Sequence, residues 1–298
     1  MSGRLSINCV AGLIALVTCA EIPGLEPDDQ LVTEPLRALG VAAEPVVWDD
    51  PAADWDRYDL VVLRSPWDYA RRHEEFLAWA VAVPRLVNAA EIVEWNTDKR
   101  YLAELHAAGV NTVATEWITP GSVWTPPPAG EWVVKPAISA GSLDTGRYDM
   151  ADRAHRGHAE EHVRRLGEAG RVVMVQPYLD AVDTYGETGL IFFDGAYSHA
   201  IRKGPMLEGP DLGAEGLYRP EKIMARDATP AEREQAERVM NAIPTDLAPT
   251  LYARVDLIPG PDGAPVLVEL ELTEPSLFLD HAPGSAERFA LAIASRLA

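Results

Sequence analysis

The chain has 298 residues, 47% of them hydrophobic, enough for a large core, and its length points to two or three lobes. A formal charge of −20 argues against nucleic acid and anionic membranes as partners, because such binding rests on Lys and Arg neutralising phosphates. The two cysteines, Cys9 and Cys19, have no metal-ligand spacing and fit a reducing compartment.

The apolar run from Val10 to Ala20 follows only a weak charge at Arg4, and Thr18 before Cys19 makes a poor processing site. It reads as a buried first strand, Leu13 to Cys19. No apolar run approaches the ~20 residues that span a bilayer, so a cytoplasmic location is expected. Strand patterns at Leu13 to Cys19, Ala43 to Val47 and Asp59 to Leu63 alternate with helical ones at Asp28 to Leu39 and Glu74 to Val83, as in an α/β layer. Ligands of such sheets sit beyond the carboxyl ends of the strands. The loop after the third strand, Arg64-Ser65-Pro66-Trp67-Asp68-Tyr69, is therefore expected at the substrate. For Arg64 and Asp68 a surface ion pair is an equal alternative.

Thr97 is expected to cap a helix from Asp98 to Ala108 that ends at Gly109. A strand from Thr112 to Thr119, a Pro/Gly-rich link, and a strand ending at Lys135 follow. Lys135 leads into a small-residue segment with Ser139, Gly141 and Ser142, where backbone N–H groups and one lysine could close over a phosphate. Composition alone favours a solvated strand-end lysine beside an ordinary turn over a phosphate site by roughly two to one. A polar helix comes next, then a strand from Val172 to Gln176 and a hairpin from Thr188 to Arg202 turning at Asp194-Gly195. Gly204 to Pro220 is expected to be a loop. The spacing of His155, His158 and His162 among charged residues describes a solvated helix face, so no zinc site is proposed. His199 reads as structural, while His281 is open between packing and substrate contact.

The acidic end of the chain carries the most chemistry. Leu251 to Asp256 and Val266 to Leu272 flank a Gly/Pro turn, which predicts a hairpin bringing Asp256 beside Glu269 and Glu271. Period-two alternation puts both glutamates on one face and Val268, Leu270 and Leu272 on the other. Three carboxylates at one spot call for a cation, and hard oxygen donors of this kind suit magnesium held against phosphates. Spacing alone leaves an exposed acidic hairpin face equally open.

In their order along nearly the whole chain, Asn96-Thr97-Asp98-Lys99, Trp132 to Pro136, Val175 to Leu179, Tyr185-Gly186-Glu187, Ala200 to Lys203, Arg254-Val255-Asp256 and Glu269-Leu270-Glu271 resemble the ATP-grasp superfamily of carboxylate–amine ligases. The resemblance implies an α/β fold with an N-terminal parallel-sheet lobe and two α+β lobes that clamp ATP. The divisions expected are 1–95, 96–178 and 179–298. It also implies ATP and Mg2+ as cofactors. Lys99 and Lys135 would contact phosphates under the Ser139 to Ser142 loop. Gln176, Tyr178 and Leu179 would form the adenine hinge, with Asp183 near the ribose and Glu187 in the nucleotide set. Asp256, Glu269 and Glu271 would hold magnesium, although many members place Asn where this chain has Glu271.

A substrate carboxylate would attack the γ-phosphorus to give an acyl phosphate, which a nitrogen then displaces. Arg254 would stabilise the oxyanion, and Arg202 and Lys203 would bind phosphoryl or carboxylate oxygens. Thr273 and Ser276 would hydrogen-bond the substrate. The segments 64–69 and 273–279 look most like the group containing the O-ureidoserine cyclo-ligase of cycloserine biosynthesis. In that reading one small molecule supplies both carboxylate and nitrogen, Asp68 suiting its ammonium and Arg64 its carboxylate, with Ser65 and Trp67 beside them. The alternatives are an intermolecular ligase and a nucleotide-binding regulatory protein without catalysis. A homo-oligomer is left open.

Overall fold

The computed structural model describes residues 12–211, 217, 222–247 and 249–297. Arg4, Cys9, the start of the first apolar run and most of the second half of the 204–220 loop lie outside the described residues. Three sheets follow one another along the chain. The first comprises β1 (Gly12–Thr18), β2 (Val41–Val47), β3 (Leu60–Ser65) and β4 (Leu86–Val87), all parallel, in the order β2-β1-β3-β4. Its connections carry α1 (Pro27–Gln30), α2 (Thr33–Ala38) and α3 (His73–Ala82). The single helix expected over 28–39 is two, because Pro35 has no N–H to continue the ladder to Leu31 and the chain makes a tight turn before restarting at Thr33.

Helices α4 (Ala90–Thr97) and α5 (Tyr101–Ala107) lead to the second sheet. It is antiparallel, with β5 (Glu116–Ile118), β6 (Glu131–Pro136), β7 (Gly146–Asp149), α6 (Arg153–Glu168) and β8 (Val173–Pro177), in the strand order β5-β8-β6-β7. Thr97 ends α4 instead of capping the next helix: its hydroxyl donates to Val93 O at 2.8 Å. Asp98 takes over, accepting from Arg100 N at 3.0 Å. The strand expected over 112–119 shrinks to 116–118, since Thr112 bridges instead to Leu267 of the third sheet. On α6, His162 is buried against the Tyr148 hydroxyl at 2.7 Å and does not share the solvated face where His158 is exposed.

The third sheet follows α7 (Ala181–Thr184) and holds β9 (Glu187–Phe193), β10 (Ala196–Lys203), β11 (Ile223–Arg226), α8 (Pro230–Asn241), β12 (Tyr252–Pro259) and β13 (Pro265–Glu271). Its antiparallel order is β11-β10-β9-β12-β13. The β9–β10 hairpin turns at Asp194 and Gly195, both at positive φ, as a two-residue turn between right-twisted strands requires. His199 of β10 is buried with Nε2 at 2.8 Å from Leu277 O, and burial lowers its pKa to about 4, so the ring is neutral. The last helix, α9 (Ser285–Ser295), returns to the first sheet: Phe289 and Ile293 share one core with Ile14, Leu36 and Tyr252. Among the described residues no helix is long and apolar enough to cross a membrane.

Strand β13 is the edge of its sheet, and side chains complete its outer row of backbone groups. The Tyr101 hydroxyl donates to Leu270 O at 2.7 Å and accepts from Leu270 N at 2.8 Å. Asn96 donates to Leu270 O at 2.8 Å and accepts from Leu272 N at 2.6 Å. Asn88 donates to Leu272 O at 2.6 Å and accepts from Leu251 N at 2.7 Å. All three side chains are buried, so each bond would be costly to leave unmade. Asn96→Ala strands the buried Leu272 N–H and removes one of the two bonds to Leu270 O, and is expected to lower unfolding free energy by about 1–3 kcal/mol. A urea midpoint unchanged from wild type would contradict this account of the edge.

Candidate active site

A cleft of about 390 Å³ opens between the second and third sheets and reaches the loops of the first. Its walls differ in chemistry. One is largely apolar, with Val113, Val133, Pro177, Tyr178, Leu179, Val182, Ile258 and Val268, and the other is charged. Val268 was expected on the opposite face. The β12–β13 register shifts between Asp256 and Leu257, leaving Val268 as the extra residue of a bulge, and the shift turns it into the cleft beside Glu269.

Beyond the bulge the hairpin pairs Asp256 with Glu269 and Arg254 with Glu271. Glu269 and Glu271 line the cleft, while Asp256 is buried beneath them. Gly189 leaves room for it, since a Cβ there would lie 3.0 Å from Asp256 Oδ1 and from Ile201 Cδ1 and one of them would have to give way. Asp256 accepts from Lys203 Nζ at 2.9 Å and from Arg254 Nε at 2.9 Å. Burial alone would raise its pKa, but Arg254 and Lys203 outweigh that and lower it to about 2. Glu269 pairs with Lys99 at 3.1 Å, and Lys99 with Lys135 outweighs burial to lower its pKa. Glu271 also touches Arg254, but that guanidinium is shared with Asp256. Burial and the neighbouring carboxylates therefore raise Glu271 to about 8.

Lys135 stands apart. It is buried, lines the cleft, and none of the described residues accepts a hydrogen bond from its ammonium or forms an ion pair with it. Burial lowers its pKa, and the attraction of Glu269 offsets this only in part. Lys99 is engaged by contrast, donating to Ser139 O at 2.7 Å, which ties the small-residue loop to the charged wall. Ser139, Gly141 and Ser142 all border the cleft, with Gly141 and Ser142 at positive φ. Gln176 lines it as well and donates to Thr115 Oγ1 at 2.8 Å. Glu187 and Lys203 pair across its rim. Trp67 and Ser276 close the end nearest the first sheet.

Several residues expected at the site lie elsewhere. Arg64 is fully buried: it binds Asp29 Oδ1 at 2.8 Å and Pro275 O at 2.7 Å, with Tyr252 and Phe289 against its guanidinium. It joins the first sheet to the C-terminal segment and borders neither the cleft nor solvent. Ser65 is buried against Thr18. Asp68 turns from the cleft to accept from Trp48 Nε1 at 2.9 Å. Thr273 is buried beside Asn96. Asp183 is held by the Tyr178 hydroxyl at 2.6 Å and by Arg147. Arg202 points away from Lys203, as strand alternation demands, and binds Tyr185 O at 2.6 Å and Thr184 O at 3.0 Å. His281 lies against Asp280.

Glu274, Tyr69, Glu26 and Phe278 were not singled out by the sequence. Glu26, Glu274 and Phe278 line the cleft, and Tyr69 hydrogen-bonds Glu274 from the loop after β3. Glu274, Phe278 and Tyr69 do lie within the two stretches marked for the substrate, 273–279 and 64–69, but nothing local distinguishes them there.

Comparisons with known proteins identify the family. A family model described as the N-terminal domain of D-cycloserine synthetase DcsG matches residues 14–88. The chain is 42% identical over 301 residues to the cycloserine biosynthesis protein DcsG of Streptomyces lavendulae, covering 96% of this chain and 99% of that protein. The chain belongs to the D-cycloserine synthetase family. The crystal structure of D-cycloserine synthetase DcsG matches with a TM-score of 0.87 at 40% identity, over 96% of this chain and 100% of that one. The ATP-grasp ligase PsnB, solved with its minimal precursor, Mg and ADP, matches with a TM-score of 0.59 at 16% identity over 100% of both chains, and shares the fold. The protein has the fold of the ATP-grasp ligases.

The opposite orientations of Arg202 and Lys203 separate their functions. Lys203→Met is expected to cut ATP turnover by about 100-fold or more. Arg202→Met loses two bonds to backbone carbonyls, about 1–2 kcal/mol of stability, with kcat within about threefold of wild type. Equal losses of turnover in steady-state assays of the two variants would contradict this placement.

Proposed function

We propose that the protein activates the carboxylate of O-ureidoserine with Mg·ATP and closes it into the cycloserine ring. The observation carrying the chemistry is Lys135, a buried cation of the cleft with which none of the described residues forms a hydrogen bond or ion pair, in a cleft also lined by Glu269 and Glu271. A triphosphate between these walls would give Lys135 its counter-charge. Among the described residues no three His, Cys, Asp or Glu side chains converge as a ready metal cluster, because each carboxylate is turned to a basic neighbour. The donor set still fits magnesium: Glu269 and Glu271 offer hard oxygens in the cleft, and the raised Glu271 marks a local shortage of positive charge. When bound, the ion would neutralise the phosphates and make the γ-phosphoryl group a better electrophile.

The protein's own groups would do the rest. Tyr178, Leu179 and Gln176 border the apolar wall suited to adenine, and Lys135 and the loop over 139–142 would hold the phosphates. The substrate carboxylate attacks the γ-phosphorus and ADP leaves. The ureido nitrogen bonded to oxygen then attacks the acyl carbon of the same molecule, and phosphate leaves. Arg254, with Nη1 anchored on Ser276 O at 3.1 Å, would stabilise the oxyanion between these events. Ring closure leaves a carbamoyl group on the ring nitrogen; hydrolysis of that N–C bond, consuming one water and releasing carbon dioxide and ammonia, frees cycloserine. The substrate assignment is supported by the 42% identity to a cycloserine biosynthesis protein over almost the full length of both chains. The three sheets support lobes at 1–95, 96–178 and 179–298, and a biosynthetic role fits the cytoplasm.

With O-ureidoserine as the sole organic substrate besides Mg·ATP, the protein is expected to release ADP and phosphate and give a product with the mass of the closed ring. Lys135→Ala should raise the KM for ATP by about 10- to 100-fold. ADP release that requires a second amine, or appears with no carboxylate at all, would overturn the cyclisation reading.

A further inference from the structure

Glu274 is a charged residue of the cleft for which the phosphate chemistry has no use. It follows the end of β13 by three residues and enters a segment that the first lobe holds tightly. Trp67 Nε1 donates to Glu274 O at 3.1 Å, Arg64 Nη2 to Pro275 O at 2.7 Å and the Tyr252 hydroxyl to Thr273 O at 2.9 Å, so the backbone on both sides of its Cα is anchored. The Tyr69 hydroxyl hydrogen-bonds the carboxyl group itself. No basic side chain among the described residues forms an ion pair with it, and burial raises its pKa to about 7. It is thus an oriented acidic group lacking a counter-charge, as Lys135 is an oriented basic one.

Its neighbours define what would complete it. Arg254 and Glu274 share one rim of the cleft, since Arg254 Nη1 binds the carbonyl of Ser276, two residues beyond Glu274. A cation and an anion side by side match the dipolar head of an α-amino acid, whose carboxylate and ammonium sit on adjacent atoms. Glu26, the other acidic group at this end, is already occupied as the cap of α1, accepting from Asp28 N at 2.7 Å. Asp68, expected from the sequence to take this part, is turned to Trp48.

We propose that Glu274 receives the α-ammonium group of the substrate and sets the requirement for a free amine, with Tyr69 positioning its carboxyl group. This deepens the cyclisation reading and rests on it. An ammonium docked there supplies the missing charge, and the substrate carboxylate is then held beside Arg254 where activation takes place. A buried hydrogen-bonded charge pair of this kind is a strong device for rejecting an analogue that lacks the donor.

The test compares O-ureidoserine with 3-(ureidooxy)propanoate, which lacks only the amine, in wild type, Glu274→Gln, Glu274→Asp and Tyr69→Phe. Wild type should favour the amine in kcat/KM, and Glu274→Gln should shrink that preference by about 10- to 100-fold, chiefly through a higher KM for O-ureidoserine. Glu274→Asp should restore part of the preference and Tyr69→Phe should lose part of it, with thermal unfolding showing each variant folded. A wild-type preference retained in folded Glu274→Gln overturns the ammonium site and leaves cyclisation standing. Absence of ADP release from wild type with either compound takes down both.

Discussion

The chemistry depends on an edge strand that cannot move. β13 carries Glu269 and Glu271 and has a neighbouring strand, β12, on one side only. An open edge leaves N–H and C=O groups unpaired and its side chains poorly oriented. Here Tyr101, Asn96 and Asn88 take the place of a further strand by binding the backbone of Leu270 and Leu272. The helices leading into the second sheet thereby hold the glutamates of the third. Lys99, three residues after Asn96, pairs with Glu269, so one short stretch secures the strand and supplies part of its counter-charge.

Charge in the cleft is arranged by unequal sharing. Arg254 and Lys203 are committed to buried Asp256, which holds them in place and leaves Glu271 short of positive charge. Lys99 is committed to Glu269 and to the loop at Ser139. Among the described residues none forms an ion pair with Lys135 or Glu274, which remain as groups of opposite sign facing the cleft. Desolvation makes such groups costly to the free protein and effective toward a ligand that completes them. The molecule thus spends stability at the two places where, on this account, its ligands carry complementary charge.

Much of the framework was legible because it is local. Alternation and a Gly/Pro turn gave the β12–β13 hairpin and the pairing of Asp256 with Glu269, and Asp194-Gly195 gave the β9–β10 turn. The bulge was not legible, since one extra residue leaves the hydrophobic pattern intact while reversing Val268. Arg64 was misread because its partners, Asp29 and Pro275, are distant in sequence, and a buried ion pair has the same local pattern as a ligand-binding arginine. Arg202 is different: period two already forbade it and Lys203 from facing the same side, and only likeness of charge grouped them. Asn96 was quoted as part of a motif, yet its role appears only once β13, more than 170 residues on, is brought beside it.

The most direct measurement is a crystal structure with Mg2+ and a non-hydrolysable ATP analogue. The account predicts the base against Tyr178 and Leu179, the phosphates between Lys135 and the β12–β13 hairpin, and the metal on Glu269 and Glu271. A nucleotide whose phosphates lie away from Lys135, or a metal bound without either glutamate, would contradict it.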